Sequence, residues 1–236
     1  MLLRLMQSGG DMQLIIVTVF AYAVIILLAS PIHECAHAWT AKLLGDDTAY
    51  RQGRISLNPM AHLDPIGTMG ILIVGMGWAK PVPVNPVRAR KVSARTAMAL
   101  TAAAGPISNV LVSLVFVVIT RLVSLTAGAD NIQTVFYICY ALIMVAEINI
   151  GLAIFNLIPV PPLDGSRVLY VFLKEKYYFA VMKYEQFIMY GILLLVFIGV
   201  LDIPLRFLND GIMWLIDLAT GVIPGNPLIL IPLGLS

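Results

Sequence analysis

Charge is what this sequence has least of. Lys, Arg, Asp and Glu make up 12% of its 236 residues, against 60% hydrophobic residues. A water-soluble domain carries roughly 25% charged and 45–50% apolar residues. The deficit excludes a chain coated by water on all sides, and the natural solvent for one unit of this length is lipid. Cysteine is almost absent: Cys35 and Cys139 lie inside apolar runs with no framework spacing, which excludes a disulfide scaffold. Gly/Ser linkers, charge runs, repeats and low-complexity tracts are missing as well. No soluble regulatory domain can be separated, so 1–236 reads as a single membrane-embedded domain. Its core spans about 13–200, and 201–236 form a C-terminal interfacial helix and tail. A net charge of +2 gives no reason to expect a nucleic-acid partner.

What the sequence does have is long apolar runs. A bilayer is crossed by about 20 mostly apolar helical residues. Gln13 to Ser30 carries no charge, and its helical pattern continues to about Leu44. Thr96 to Ile119 is uncharged, and Gln133 to Ile158 contains one charge, Glu147. Phe187 to Leu201 is apolar and begins earlier, near Tyr177, whereas Ile212 to Ile223 is shorter and interrupted by Asp217. Ile66 to Trp78 is too short to cross and returns as a re-entrant hairpin or half-helix. The expectation is an all-α polytopic membrane protein with about five to six transmembrane or re-entrant helices. Of the 15 Lys and Arg residues, 12 fall in Lys42–Arg54, Lys80–Arg95 and Arg167–Lys183. Basic loops mark the cytoplasmic side, which predicts a multi-pass protein of the cell membrane with those stretches inside. The first run is too long for a cleaved signal peptide and lacks a small-x-small site.

That first helix carries chemistry. His33-Glu34-Cys35-Ala36-His37 places two imidazoles four residues apart on one helix face, a spacing that grips one Zn²⁺. Glu34 is placed to act on metal-bound water as general base. The pattern is short, and a pair of surface histidines would also satisfy it. Here, however, the three residues interrupt an apolar helix, where polar groups are costly unless they serve a purpose. The motif lies in the cytoplasmic third of the membrane, and Pro31 is expected to kink the helix just before it. Catalytic zinc takes three protein ligands and keeps an open position. The best candidate for the third is Asp164, presented after Pro159, Pro161 and Pro162 and just before Gly165. The plainer role for Asp164 is an N-cap opening the next helix, and both could hold, one oxygen capping and one ligating.

With these residues in view, the chain resembles the site-2 protease family of intramembrane zinc metalloproteases, in a compact prokaryotic form without a PDZ or CBS insertion. The resemblance rests on His33–His37, on Gly105-Pro106-Ile107-Ser108-Asn109, and on Asn156 to Gly165 with its Leu163-Asp164-Gly165 signature. The stretches Gly53–Pro59 and Gly77–Pro86 add to it. It implies one zinc per chain on His33, His37 and Asp164, with Glu34 as catalytic acid/base. It also implies that Asn109 faces the active site, where a buried amide can donate to an oxyanion; an interhelical hydrogen bond is the plainer role. The implied activity is peptide-bond hydrolysis within or near transmembrane segments of membrane-anchored proteins. A catalytically silent membrane-protein-binding homologue would lack a ligand or the base, and a metal transporter would line a path across the membrane with ligands. A membrane HExxH protease with a glutamate ligand would lack Leu-Asp-Gly.

Other polar residues leave choices open. Asn149 and Asn156 share a helix face and either bond neighbouring helices or brace the Asp164 loop. Glu147 is neutral or lines a wet path. His62 contacts substrate or supports the ligands, and Cys35 points away from the histidine face. Two stretches, Ala49 to Asn58 and Ala79 to Val87, look extended and predict a small β element near the active site, able to receive an unwound substrate by strand addition.

Overall fold

A computed structural model describes residues 12–74, 79–128 and 130–220. Helix α1, Met12–Leu43, consists of an α-helical half Met12–Val24, one π-helical turn Ile25–Ala29, and a second α-helical half Ser30–Leu43. Pro31, expected to kink the helix, follows this wider turn closely. Proline has no N–H, and its ring collides with the carbonyl four residues back. That carbonyl belongs to Leu27, inside the turn where the Ser30 amide reaches back five residues to the Ile25 carbonyl.

Two short helices follow, α2 (Thr48–Arg51) and α3 (Pro65–Val74). Helix α3 is the described part of the expected re-entrant segment; residues 75–78 lie outside the described residues. Helix α4, Ala94–Ser124, starts at Ser93, whose hydroxyl accepts the Thr96 amide at 3.2 Å, a side-chain cap for an otherwise unpaired donor. Helix α5 covers Ile132–Leu157, and α6 (Asp164–Leu169), α7 (Glu175–Met182), α8 (Glu185–Phe197) and α9 (Asp202–Thr220) complete the chain as described. Three helices, α1, α4 and α5, are long and apolar enough to cross a membrane. Helices α7 and α8, bent by 64° at their junction, make a fourth if they act as one span. Among the described residues the chain is therefore all-helical with three to four candidate spans; the expected five to six counted re-entrant helices as well as crossings.

Lipid removes the drive to hide large apolar side chains, so membrane helices associate through small residues and close contact. This chain follows that rule. Ala21, Ala29, Ala38, Ala102, Ser113, Ala146 and Ala153 are buried between helices, while Leu27, Ile107, Leu111, Val115 and Leu122 point outward. Around Val145, the small faces of α1 and α5 meet Val112 and Phe116 of α4. A second cluster joins Val117, Ala146, Ile150 and Ile154 to Met213 and Ile216 of α9.

The small β element takes another form. Ala49 to Asn58 begins with helix α2, and among the described residues no strand forms. Pairing is limited to one antiparallel bridge between Leu63 and Ala79. Pro81, Pro83 and Pro86 deny the second stretch the amides that a ladder needs. Its backbone is held instead at isolated points: the Lys80 amide donates to the His62 carbonyl at 2.7 Å, the Arg54 guanidinium donates to the Lys80 carbonyl, and the Asn85 amide donates to the buried Asp46 carboxylate at 2.6 Å.

Candidate metal centre

The π turn and the second half of α1 bring His33 and His37 against α4. Their Nε2 atoms stand 3.0 Å apart, as the four-residue spacing predicts. His37 Nδ1 lies 2.7 Å from the Thr101 carbonyl of α4. A carbonyl can only accept, so the proton sits on Nδ1 and the Nε2 lone pair is left for a cation. Such close helix packing needs Gly105. A Cβ there would fall 2.4 Å from His37 Nε2 and 2.6 Å from His33 Cε1. Thr101 is not evident from the sequence, because it acts through its backbone; Gly105 belongs to a run of small residues that lets helices approach closely, and it acts through having no side chain.

Asp164 comes from the far side. Helix α5 ends at Leu157, the chain passes Pro159, Pro161 and Pro162, and Asp164 opens α6. Gly165 allows this approach, since a Cβ on it would lie 2.2 Å from the Leu157 carbonyl oxygen. One Asp164 oxygen stands 3.3 Å from His33 Nε2 and 3.3 Å from His37 Nε2. The capping alternative falls away: Leu163 occupies the N-cap position, and no side chain caps the helix.

The donor set fits zinc. Ligand atoms bonded tetrahedrally at about 2.0–2.1 Å lie about 3.3–3.4 Å from one another. The three donor atoms here are separated by 3.0, 3.3 and 3.3 Å, and two nitrogens with a carboxylate oxygen are the donor types zinc takes. The three side chains are only 10–13% exposed. No other cluster of three such residues occurs among the described residues.

The centre opens into a cavity of about 1160 Å³. Glu34 lines it beside the histidines, and so does Asn109, which is buried on α4 one turn beyond Gly105, with its Oδ1 unpartnered. Asn156 lines it too, but its amide donates to Leu152 of its own helix at 3.0 Å. Asn149 likewise donates to Val145 of its own helix at 2.8 Å, so neither amide group bonds a neighbouring helix. Glu147 is exposed to the cavity, with its carbonyl accepting from Asn209 of α9 at 3.3 Å. His62 is fully buried away from it, one ring nitrogen 2.7 Å from the Ser56 carbonyl. Cys35 meets the Ser56 backbone on the face opposite the histidines. Of the two extended stretches, only the second reaches the cavity, through Ala79, Pro81, Val82, Val84 and Pro86.

Comparison with known proteins gives a consistent picture. The family model for peptidase family M50 matches residues 122–199, which contain Asp164. A protein of Bacillus subtilis (strain 168), provisionally named zinc metalloprotease YwhC, is 40% identical over 158 residues, covering 63% of this chain and 67% of that protein. The provisionally named zinc metalloprotease Rip2 of Mycolicibacterium smegmatis is 25% identical over 194 residues, 81% of this chain and 71% of that protein. Its counterpart in Mycobacterium tuberculosis (strain H37Rv) is 26% identical over 196 residues, 82% of this chain and 71% of that protein. No solved structure gives a significant match.

Proposed function

The chain belongs to peptidase family M50, the site-2 protease family, and from this we propose that it is a zinc endopeptidase cutting membrane-anchored proteins within or beside their transmembrane segments. The observation that carries this reading is the meeting of His33, His37 and Asp164 within 3.0–3.3 Å of one another, at the mouth of a cavity among apolar helices.

His33 Nε2, His37 Nε2 and one Asp164 oxygen would hold the ion. A zinc ion there supplies Lewis acidity, making water available as a nucleophile near neutral pH. Glu34 accepts the proton of the attacking water and returns it to the leaving amine as the peptide bond breaks. Asn109 donates its side-chain N–H to the oxyanion that develops on the scissile carbonyl. The Thr101 carbonyl keeps His37 in the required tautomer. A transmembrane substrate must unwind before it can be cut, and its freed backbone groups then need partners. The cavity-lining strip Ala79–Asn85 offers them at Val82 and Val84, which retain amides between the prolines. The basic loops support a cytoplasmic orientation for this end of the molecule.

Metal content and cleavage of a tagged membrane substrate, measured on the same preparations, test the reading. Glu34→Gln is expected to keep zinc and lose turnover by about 10²–10⁴-fold. His33→Ala and Asp164→Ala are expected to lose both. A Glu34→Gln protein that cuts at the wild-type rate sinks the assignment.

A further inference from the structure

Where α1 ends, the chain turns through Gly45 (φ 104°) and meets the segment 86–91. The junction is tight. A Cβ on Gly45 would lie 3.1 Å from the Arg90 amide nitrogen, and the Arg90 and Lys91 amides both donate to the Leu44 carbonyl, at 3.0 and 3.4 Å. Around it lies a pocket of about 270 Å³ lined by Gly45, Asp47, Arg51, Val87, Arg88 and Arg90. Three arginines from two separate chain segments thus line one concavity. Asp47 answers only Arg51, at 3.9 Å between exposed side chains, a weak pairing. Neither Arg88 nor Arg90 has an ion-pair partner among the described residues. Gathering three like charges is unfavourable unless an anion joins them, and guanidinium forks match phosphate oxygens.

The height of the pocket is fixed by α1. The apolar span runs Met12–Leu43, so Gly45 lies just beyond its end. Trp39, one turn before the end of α1, and Tyr50 of α2 are exposed, and the Lys42 ammonium sits 3.2 Å from the centroid of the Tyr50 ring. Exposed Trp and Tyr at the end of a span mark the headgroup layer, where basic residues attract anionic lipid. We infer that the Arg51/Arg88/Arg90 pocket binds the phosphate of an anionic phospholipid headgroup. The occupant joins the end of the histidine-bearing helix to the segment that follows the cavity strip. Asp46, next to Gly45, already ties the same two pieces through the Asn85 amide. A lipid held there therefore favours the folded junction, and binding to the folded form raises stability by mass action.

The test uses the full chain, delipidated in neutral detergent, with the thermal unfolding midpoint read against added ligand. Short-chain phosphatidylglycerol is compared with phosphatidylcholine of equal chain length and with inorganic phosphate. Phosphatidylglycerol is expected to raise the midpoint by several degrees, and the other two to leave it unchanged. The triple variant Arg51→Gln, Arg88→Gln, Arg90→Gln should weaken phosphatidylglycerol binding on the order of 100-fold. Its ligand-free midpoint reports whether it folds. The variant Lys174→Gln, Lys176→Gln, Lys183→Gln removes equal charge elsewhere and should bind like the wild type. No shift in the wild type, or an unaffected arginine variant, overturns the proposal. Equal loss in the lysine variant overturns it in favour of diffuse charge. An equal shift with inorganic phosphate overturns the headgroup assignment in favour of a free anion.

Discussion

Gly105 sets how near α4 can come to the two imidazoles, and that distance decides whether their lone pairs can share an ion with Asp164. A methyl group there would overlap both rings, at 2.4 and 2.6 Å. The rings cannot retreat without losing the Thr101 contact or the π-turn geometry of α1. Overpacking a site of this kind costs about 1–3 kcal/mol, so Gly105→Ala is expected to weaken zinc retention about 10–100-fold, measured by competition with a chelator. Asn109→Ala, one turn further on, should keep its zinc and lose about 10²–10³ in kcat; a loss of zinc instead would make Asn109 a structural residue. The three motif residues could be read in the sequence because their spacing is local and the helix period converts it directly into geometry. Asp164 was legible through the prolines that interrupt the apolar run before it. Thr101 was not legible, because a backbone carbonyl leaves no trace in residue type; Gly105 was legible as a small residue at a close helix contact, but which rings it faces exists only once two helices have packed.

The elements that support the site are short or irregular, and there the sequence was least informative. Long apolar runs predict α1, α4 and α5 well, since length and hydropathy are all a span requires. The strip Ala79–Asn85 misled because its composition is strand-like while its prolines forbid a ladder. It is held by Arg54 and Asp46, charged residues distant in sequence, whose partners are backbone atoms. Arg54→Met keeps much of the side-chain volume and removes the donor to Lys80. Faster hydrogen exchange across residues 79–85 with unchanged zinc content is the expected result; unchanged exchange would show that the strip is fixed by its prolines alone. Helix α6 depends on Gly165 in the same way that α4 depends on Gly105. Gly165→Ala drives a Cβ into the Leu157 carbonyl, and it should lower the unfolding midpoint and the zinc content together, because the helix start and the ligand are one element.

At the scale of the whole molecule, α9 shows which side of the protein is wet. Its outward residues Ile203, Phe207, Trp214 and Leu218 are exposed apolar side chains, suited to lipid. Its other face carries Asp202, Arg206 and Asn209, which line the same cavity as His33 and Asp164. Further along, Met213 and Ile216 enter the core with α4 and α5, so α9 is packed as an integral wall. A helix with its apolar face outward and its polar face inward is stable only if the space it encloses holds water or polar substrate, since charges facing hydrocarbon are expensive. Hydrolysis needs that water, and Glu147, exposed on the facing helix, fits the same polar lining. Cysteine placed on either face distinguishes the two environments, because a thiol ionises and reacts only where water reaches it. With Cys35 and Cys139 replaced, Asn209→Cys should react with a charged, water-soluble maleimide much faster than Phe207→Cys. Equal rates would mean that α9 does not divide water from lipid, and an unreactive Asn209→Cys would mean that the cavity is dry.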